Sequence, residues 1–350
     1  MKAAQIKAPR SIHLIEIDDP VLSDCPTDHI IVQLRRACLC GSDAPFFTYD
    51  LTHVRVEPLE QLTMDSEHLD LGGNEVYPLR PGQSLHECAG DVIASGSTKF
   101  KEGDFVLVLP EFQNGYQERI LIPASRAVHL PKNSVSIEEM VLSQPLGTVI
   151  WACRKLKNVL GANVVVVGLG PIGLLFSHIM ANLGARRVIG LDRIPSRLET
   201  AKKMHATHSI NVDETDPSAA VMDITNGKNA DIVVDAVGHQ VYLMDLCVKL
   251  VKSHGTILYF GVPDRDHYPH FPHIEFFRKN LRLVSSVGPE IHYDYPLARD
   301  LIAQGRINVK PLVTHVLPFT DPQGAYEIFT ERKDRAIKVF INFEKKTNAG

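Results

Sequence analysis

The chain has no apolar run long enough to span a bilayer. Its opening residues, Met-Lys-Ala-Ala-Gln-Ile-Lys-Ala-Pro, lack the apolar core of a secretion signal. It has no excess of positive charge: 37 Lys and Arg stand against 41 Asp and Glu, for a formal net charge of −4. These absences argue against a membrane protein and against nucleic acid as a partner, and a cytoplasmic location is the expectation. Cysteine is scarce. The six, Cys25, Cys38, Cys40, Cys88, Cys153 and Cys247, are scattered without a Cys-x-x-Cys pair. A disulfide framework is therefore not expected, and most of these thiols read as small buried apolar groups. Internal repeats and low-complexity tracts are missing too.

What is present is ordinary for a globular protein, with 44% hydrophobic and 22% charged residues over 350 positions. That length allows two domains, each with its own core. Residues 1–130 read as short strands broken by Gly, Pro and Asp turns, including Ile30–Leu34, Gly90–Ala94, Asp104–Leu109 and Arg119–Ile122. The stretch from 50 to 85 is polar, acidic and aperiodic, which marks a functional or mobile segment. From 163 to 288 strands and helices alternate, with strands expected at 164–168, 188–192, 210–212, 232–235, 256–261 and 281–285. That pattern predicts an α/β doubly wound parallel sheet. Beyond it lie a helix-like segment at 295–304 and an apolar alternation, Ala336 to Phe343, expected to return as a strand to the first domain.

The most informative segment is Asn163-Val-Val-Val-Val-Gly-Leu-Gly-Pro-Ile-Gly173, followed by a helix-like stretch and then Val188-Ile-Gly-Leu-Asp192. A β-branched run suits a strand buried on both faces. Gly168, Gly170 and Gly173 provide a tight turn, close backbone approach to a pyrophosphate, and close strand–helix packing. The helix opening at Pro171 and Ile172 points its amides at the phosphates. Asp192 ends the second strand, where a carboxylate accepts hydrogen bonds from an adenosine ribose. A lone glycine turn is weak, but strand, turn, helix, strand and acid in order predict a dinucleotide site. Asp192 favours NAD, since it repels a ribose 2′-phosphate; NADP is less favoured, with the neighbouring Arg193 as the residue that could admit it.

A second cluster is Cys38-Leu-Cys40-Gly-Ser42-Asp43, paired at a distance with His86-Glu87-Cys-Ala-Gly90. Cys40, His86 and Glu87 offer a thiolate, an imidazole and a carboxylate. Three protein donors with a fourth position left open form the pattern of a catalytic zinc site. Asp43 is a candidate acceptor for the His86 N–H, fixing its tautomer. Singly, each residue has a plainer reading, as a core thiol, a satisfied histidine and a solvated charge. Their combination beside a nucleotide unit raises the metal reading.

On these residues the chain resembles the zinc-dependent medium-chain dehydrogenase/reductase superfamily, nearest its polyol and threonine dehydrogenase branch. The carriers are Cys-Gly-Ser-Asp at 40–43, His86-Glu87-x-x-Gly90-x-Val92, Gly103-Asp104, the 168–173 turn and Asp192. The resemblance implies a GroES-like, mostly β catalytic domain at 1–147 and 289–350, interrupted by a Rossmann domain at 148–288. It implies one catalytic zinc per chain on Cys40, His86 and Glu87, with NAD as cofactor. Hydride would pass between NAD and a secondary alcohol: a polyol, sugar alcohol or amino alcohol. In that frame Ser42 begins proton transfer, and Val237, Gly261 and Val262, on loops after two strands, contact the nicotinamide side. The exposed apolar edge at 281–287 implies a homodimer or homotetramer.

Several positions depart from the family pattern. Leu85 replaces a glycine before His86, Gln144 stands where the polyol branch has a glutamate, and Pro45 replaces a histidine of the proton relay. The spacer between Cys40 and His86 is longer than usual, and the four-cysteine lobe for a structural zinc is missing. Phe46, Phe47 and Tyr49 are candidates for the substrate wall or ordinary core; His53 is a candidate proton acceptor; Trp151 is expected in the core. The histidines at 254, 267, 270 and 273 lack tight ligand spacing. Two alternatives remain open: a zinc-free quinone or enone reductase of the same fold, and a catalytically weak NAD(H)-binding sensor.

Overall fold

The computed structural model describes residues 1–24, 27–51, 76–238, 243–263, 268 and 271–344. The chain divides into two compact units: Met1–Gln144 with Ile291–Arg306 and Val313–Gly350, and Pro145–Glu290 with Ile307–Leu312. His53, Cys25, His267, His270 and most of the polar 50–85 stretch lie outside the described residues.

In the first unit a sheet runs in the order Val313–Pro318, Lys338–Asn342, His29–Cys38, Glu87–Ser95, Phe105–Val108, Ala127–His129, with Arg119–Pro123 also pairing to His29–Cys38. The strand His29–Cys38 is its hub. One edge pairs antiparallel with Glu87–Ser95, while the other takes Arg119–Pro123 at its start and Lys338–Asn342 at its end. The apolar alternation at 336–343 thus forms a strand of this unit. Its core gathers Ile6, Val32, Leu34, Phe47, Tyr116, Tyr326 and Phe343 under the sheet.

The second unit holds six described parallel strands in the order His208–Asn211, Arg187–Asp192, Asn163–Val167, Ala230–Asp235, Val251–Tyr259, Arg282–Ser285. In chain order this is 3-2-1-4-5-6, the doubly wound arrangement whose switch point lies between Asn163–Val167 and Ala230–Asp235. The strand Asn163–Val167 is buried along its whole length, which explains its unbroken β-branched run. Among the described residues no helix is long and apolar enough to cross a membrane.

Two elements had no clear periodic signal. The strand Val313–Pro318 alternates half-buried and exposed residues, and the helix Pro322–Thr330 is only nine residues long. That helix starts where the Asp321 carboxylate accepts the Gly324 N–H at 2.9 Å and Pro322 sets the first turn.

Candidate functional site

Sheet register assembles the first cluster. Cys38 pairs with Glu87 across the hub strand and with Phe340 on its other side. The chain leaving Cys38 therefore brings Cys40 beside His86, although 46 positions separate them in sequence. The thiol, an imidazole nitrogen and a carboxylate oxygen of Cys40, His86 and Glu87 all lie within 4.8 Å of one another. It is the one such group of acidic, thiol and imidazole donors among the described residues.

Asp43 closes this cluster from behind. It is fully buried in the short 3-10 turn Gly41–Asp43. One oxygen accepts the Cys40 N–H at 2.7 Å, and the other accepts the Leu85 N–H at 3.1 Å. Both donor-bearing segments are thus tied to one carboxylate. The same oxygen that holds Leu85 stands 3.7 Å from His86 Nδ1, beyond hydrogen-bond length, and that nitrogen is buried without a partner. Burial alone would raise the Asp43 pKa; the His86 ring and the two backbone N–H groups outweigh it and hold the carboxyl below its usual range. With Nδ1 turned toward Asp43, Nε2 is left for a metal. Thiolate, imidazole and carboxylate are the donors zinc prefers, at roughly 2.0–2.3 Å each, so the residues present fit that ion.

Leu85 explains one departure. It is fully buried at φ +68°, the left-handed region where a glycine is at ease and a branched side chain is strained. The position asks for glycine, and here a leucine fills core space instead. Ser42 is exposed on its turn. Of the aromatics considered for the substrate wall, Phe47 belongs to the core: it is 1% exposed and stacks on Tyr326 at 4.6 Å. Tyr49 is half exposed.

The glycine turn of the second unit is equally tight. Gly168 has φ +86°, and a Cβ on Gly173 would sit 1.8 Å from the Gly168 carbonyl oxygen. Gly170 caps the helix Pro171–Asn182, with Pro171 at its first position and Ile172 following. Val237 leans over the turn: a Cβ on Gly168 would meet its Cγ2 at 2.5 Å. Gly261 packs against Gly238, where a Cβ would meet backbone nitrogen at 2.3 Å, so the loops carrying Val237 and Val262 touch.

Asp192 is 8% exposed, and its carboxylate is already engaged. One oxygen accepts the Leu169 N–H at 2.8 Å; the other accepts those of Arg193 and Ile194 at 2.8 and 2.9 Å. Arg197 Nη1 stands 3.6 Å away. The Arg193 side chain is largely exposed, 4.0 Å from Asp213.

Comparison with known proteins bears on this arrangement. The profile of the family described as zinc-binding dehydrogenase matches residues 171–304. Sorbitol dehydrogenase 1 of Saccharomyces cerevisiae is 30% identical over 314 residues, covering 79% of this chain and 86% of the relative. Sorbitol dehydrogenase of Bacillus subtilis is 27% identical over 369 residues, 97% of each chain. The chain belongs to the zinc-binding dehydrogenase family. It is an oxidoreductase, and zinc and NAD(H) are the cofactors of that family. Among solved structures, an alcohol dehydrogenase of Thermus sp. ATN1 shares the fold at 24% identity, covering 98% of this chain and 100% of its own, with a TM-score of 0.82.

Within this zinc-binding dehydrogenase, one residue of the cluster escaped sequence reasoning. Lys338 places its ammonium 2.7 and 2.6 Å from the two Glu87 oxygens, with both side chains shut from solvent. Burial works to lower the Lys338 pKa, but Cys38 and Glu87 outweigh it and hold the group above the usual lysine range. Burial also pushes the Cys38 thiol up. The signal was a lone charge inside Ala336-Ile-Lys-Val-Phe-Ile341. Gln144 is buried and faces the Tyr295 hydroxyl, whose pKa burial drives above the usual tyrosine range. Trp151, expected in the core, is instead half-buried: its indole N–H donates to the Val287 carbonyl at 3.3 Å, and Lys155 lies 4.7 Å over the ring.

Proposed function

We propose that the protein oxidises a polyol or related secondary alcohol with NAD, using one zinc ion held by Cys40, His86 and Glu87. The observation that carries this reading is the clustering of those three donors within 4.8 Å of one another, beside a buried Asp43 that ties the Cys40 and Leu85 backbone. The relatives named sorbitol dehydrogenase support a polyol as the substrate class. Zinc, when bound, supplies Lewis acidity that lowers the pKa of a substrate hydroxyl. NAD supplies the hydride acceptor.

The chain's own residues do the rest. Asp43 ties the backbone at Cys40 and at Leu85, next to His86, and sets its charge beside the His86 ring. Ser42, exposed beside Cys40, receives the substrate proton and passes it to water, since Pro45 offers no side chain to carry it on. Gly168, Gly170, Pro171, Ile172 and Gly173 cradle the pyrophosphate, and Val237, Gly261 and Val262 line the nicotinamide end. The Asp192 carboxylate supports NAD over NADP. The strand Arg282–Ser285 is an exposed sheet edge, with Leu283 42% exposed and Ile274 and Phe277 uncovered on the preceding helix. These surfaces support assembly of the chain into a homodimer or homotetramer.

The test is elemental analysis of the purified protein, with nicotinamide absorbance followed over a panel of polyols and simple alcohols. One zinc per chain with NAD reduction on a polyol is the expected result. A zinc-free protein that reduces enones, or one that binds NADH and turns over nothing, would overturn it.

A further inference from the structure

Lys338 is 1% exposed in the middle of an apolar strand. An ammonium buried this completely is tolerated only with charged and hydrogen-bonding partners. It has three acceptors: both oxygens of Glu87, and the carbonyl oxygen of Leu39 at 3.2 Å. Leu39 directly precedes Cys40, and Glu87 directly follows His86. The lysine therefore holds backbone next to one donor and the side chain of another, from a strand that carries no donor itself.

We propose that Lys338 is the positioning residue of the metal centre, holding Glu87 beside Cys40 and His86 while sharing its charge and so restraining its hold on the metal. This rests on the reading of Cys40, His86 and Glu87 as a zinc site. A carboxylate whose two oxygens both face an ammonium has less electron density to donate to a cation. With a neutral imidazole, the thiolate and carboxylate carry two negative charges, and Lys338 reduces that sum to one. A bound divalent ion then keeps a net positive charge and polarises a substrate hydroxyl more strongly. The same ammonium repels the ion, so Lewis acidity rises at the expense of affinity. A lysine that merely stabilised the fold predicts the opposite sign: losing an ordinary supporting contact weakens metal binding, typically 10–100-fold.

The experiment compares Lys338→Met, Lys338→Gln and Lys338→Arg with the unsubstituted chain and with the double variant Glu87→Gln/Lys338→Met. Zinc affinity is read by competition with a chromophoric chelator, and coordination by the visible spectrum of the cobalt(II)-substituted protein. Lys338→Met is expected to bind zinc about tenfold tighter or more. Its cobalt absorption should weaken as the freed carboxylate coordinates more fully, while kcat falls. Lys338→Gln keeps hydrogen-bonding capacity without the charge and should shift affinity in the same direction, so a misfolded methionine variant leaves the test intact. Lys338→Arg should retain the original affinity and spectrum. Unchanged or weaker zinc binding in both neutral variants overturns the proposal, as does a full gain in the double variant, where Glu87 cannot transmit it. If the unsubstituted chain binds no zinc, the metal-site reading itself fails; if it binds zinc and the variants match it, only the role of Lys338 fails.

Discussion

Both carboxylate oxygens of Glu87 meet the Lys338 ammonium, at 2.7 and 2.6 Å, where neither side chain touches solvent. Removing one partner leaves the other as an uncompensated buried charge. In the metal-free protein Lys338→Met should therefore cost about 3–5 kcal/mol of stability, and Glu87→Leu/Lys338→Met clearly less than the two single changes summed. Urea denaturation of chelator-treated protein, run as a double-mutant cycle, measures this.

Loss of a zinc donor should separate metal from fold. Cys40→Ala and His86→Ala are expected to reduce zinc from one equivalent per chain to a trace, and kcat by about a thousandfold or more. Near-UV circular dichroism should stay close to that of the metal-free parent, because Asp43 still ties Cys40 and Leu85 through backbone amides. Retention of zinc by both variants would disprove the assignment.

Gly173→Ala tests the glycine turn. Its methyl group would fall 1.8 Å from the Gly168 carbonyl oxygen, so strand and helix must separate. Overpacking of this kind costs about 1–3 kcal/mol, and NADH binding, followed by fluorescence, should be lost with it. Gly170→Ala is the contrasting case, since its Cβ would meet nothing closer than Arg197 Nη1 at 3.9 Å. That variant should fold with near-parental stability.

Asp192 holds three backbone N–H groups, and the proposed function gives it a second task at the adenosine ribose. Asp192→Ser keeps an acceptor but removes the charge. The dissociation constant for NADH should rise by about tenfold, and the preference for NADH over NADPH should shrink by at least as much, because Arg193 and Arg197 remain nearby. An unchanged ratio of the two constants would rule out Asp192 as the selector.

His178 gives the fold an acid limit. It is 3% exposed on the helix Pro171–Asn182, where Nε2 accepts the Asn308 N–H at 3.0 Å and the ring stacks on His205 at 4.7 Å. Burial, with His205 beside it, lowers its pKa to about 4. An unfolded histidine titrates near 6.5, so between about 6.5 and 4 the unfolded chain binds the proton that the folded one refuses. Stability contributed by neutral His178 is complete above 6.5 and falls as pH drops toward 4. His178→Gln keeps an acceptor for Asn308 without titrating, and thermal melts from pH 7 to 4 should show a shallower decline for that variant.

Much of this protein is legible in the chain itself. The β-branched run Val164–Val167, the spacing of Gly168, Gly170 and Gly173, and the acid at 192 are local patterns. Much of their physics is local too: a β-branched run favours a strand, closely spaced glycines permit a turn that excludes Cβ atoms, and a proline after the second glycine suits a helix start. Cys40, Ser42, Asp43, His86 and Glu87 could be selected because donor chemistry belongs to residue types.

Other features depend on register between distant segments, which no local pattern encodes. The pairing of Cys38 with both Glu87 and Phe340 brings Lys338 to Glu87 across 251 positions. Contacts between segments distant in sequence also turn Phe47 inward onto Tyr326 and leave Trp151 half-buried against Val287. Leu85 shows the division most clearly: the sequence reveals a leucine where relatives of this pattern carry glycine, but only the folded chain shows the left-handed backbone that makes the substitution costly. Residue chemistry determined which groups could bind zinc and a dinucleotide; long-range strand pairing decided which charge stands behind them.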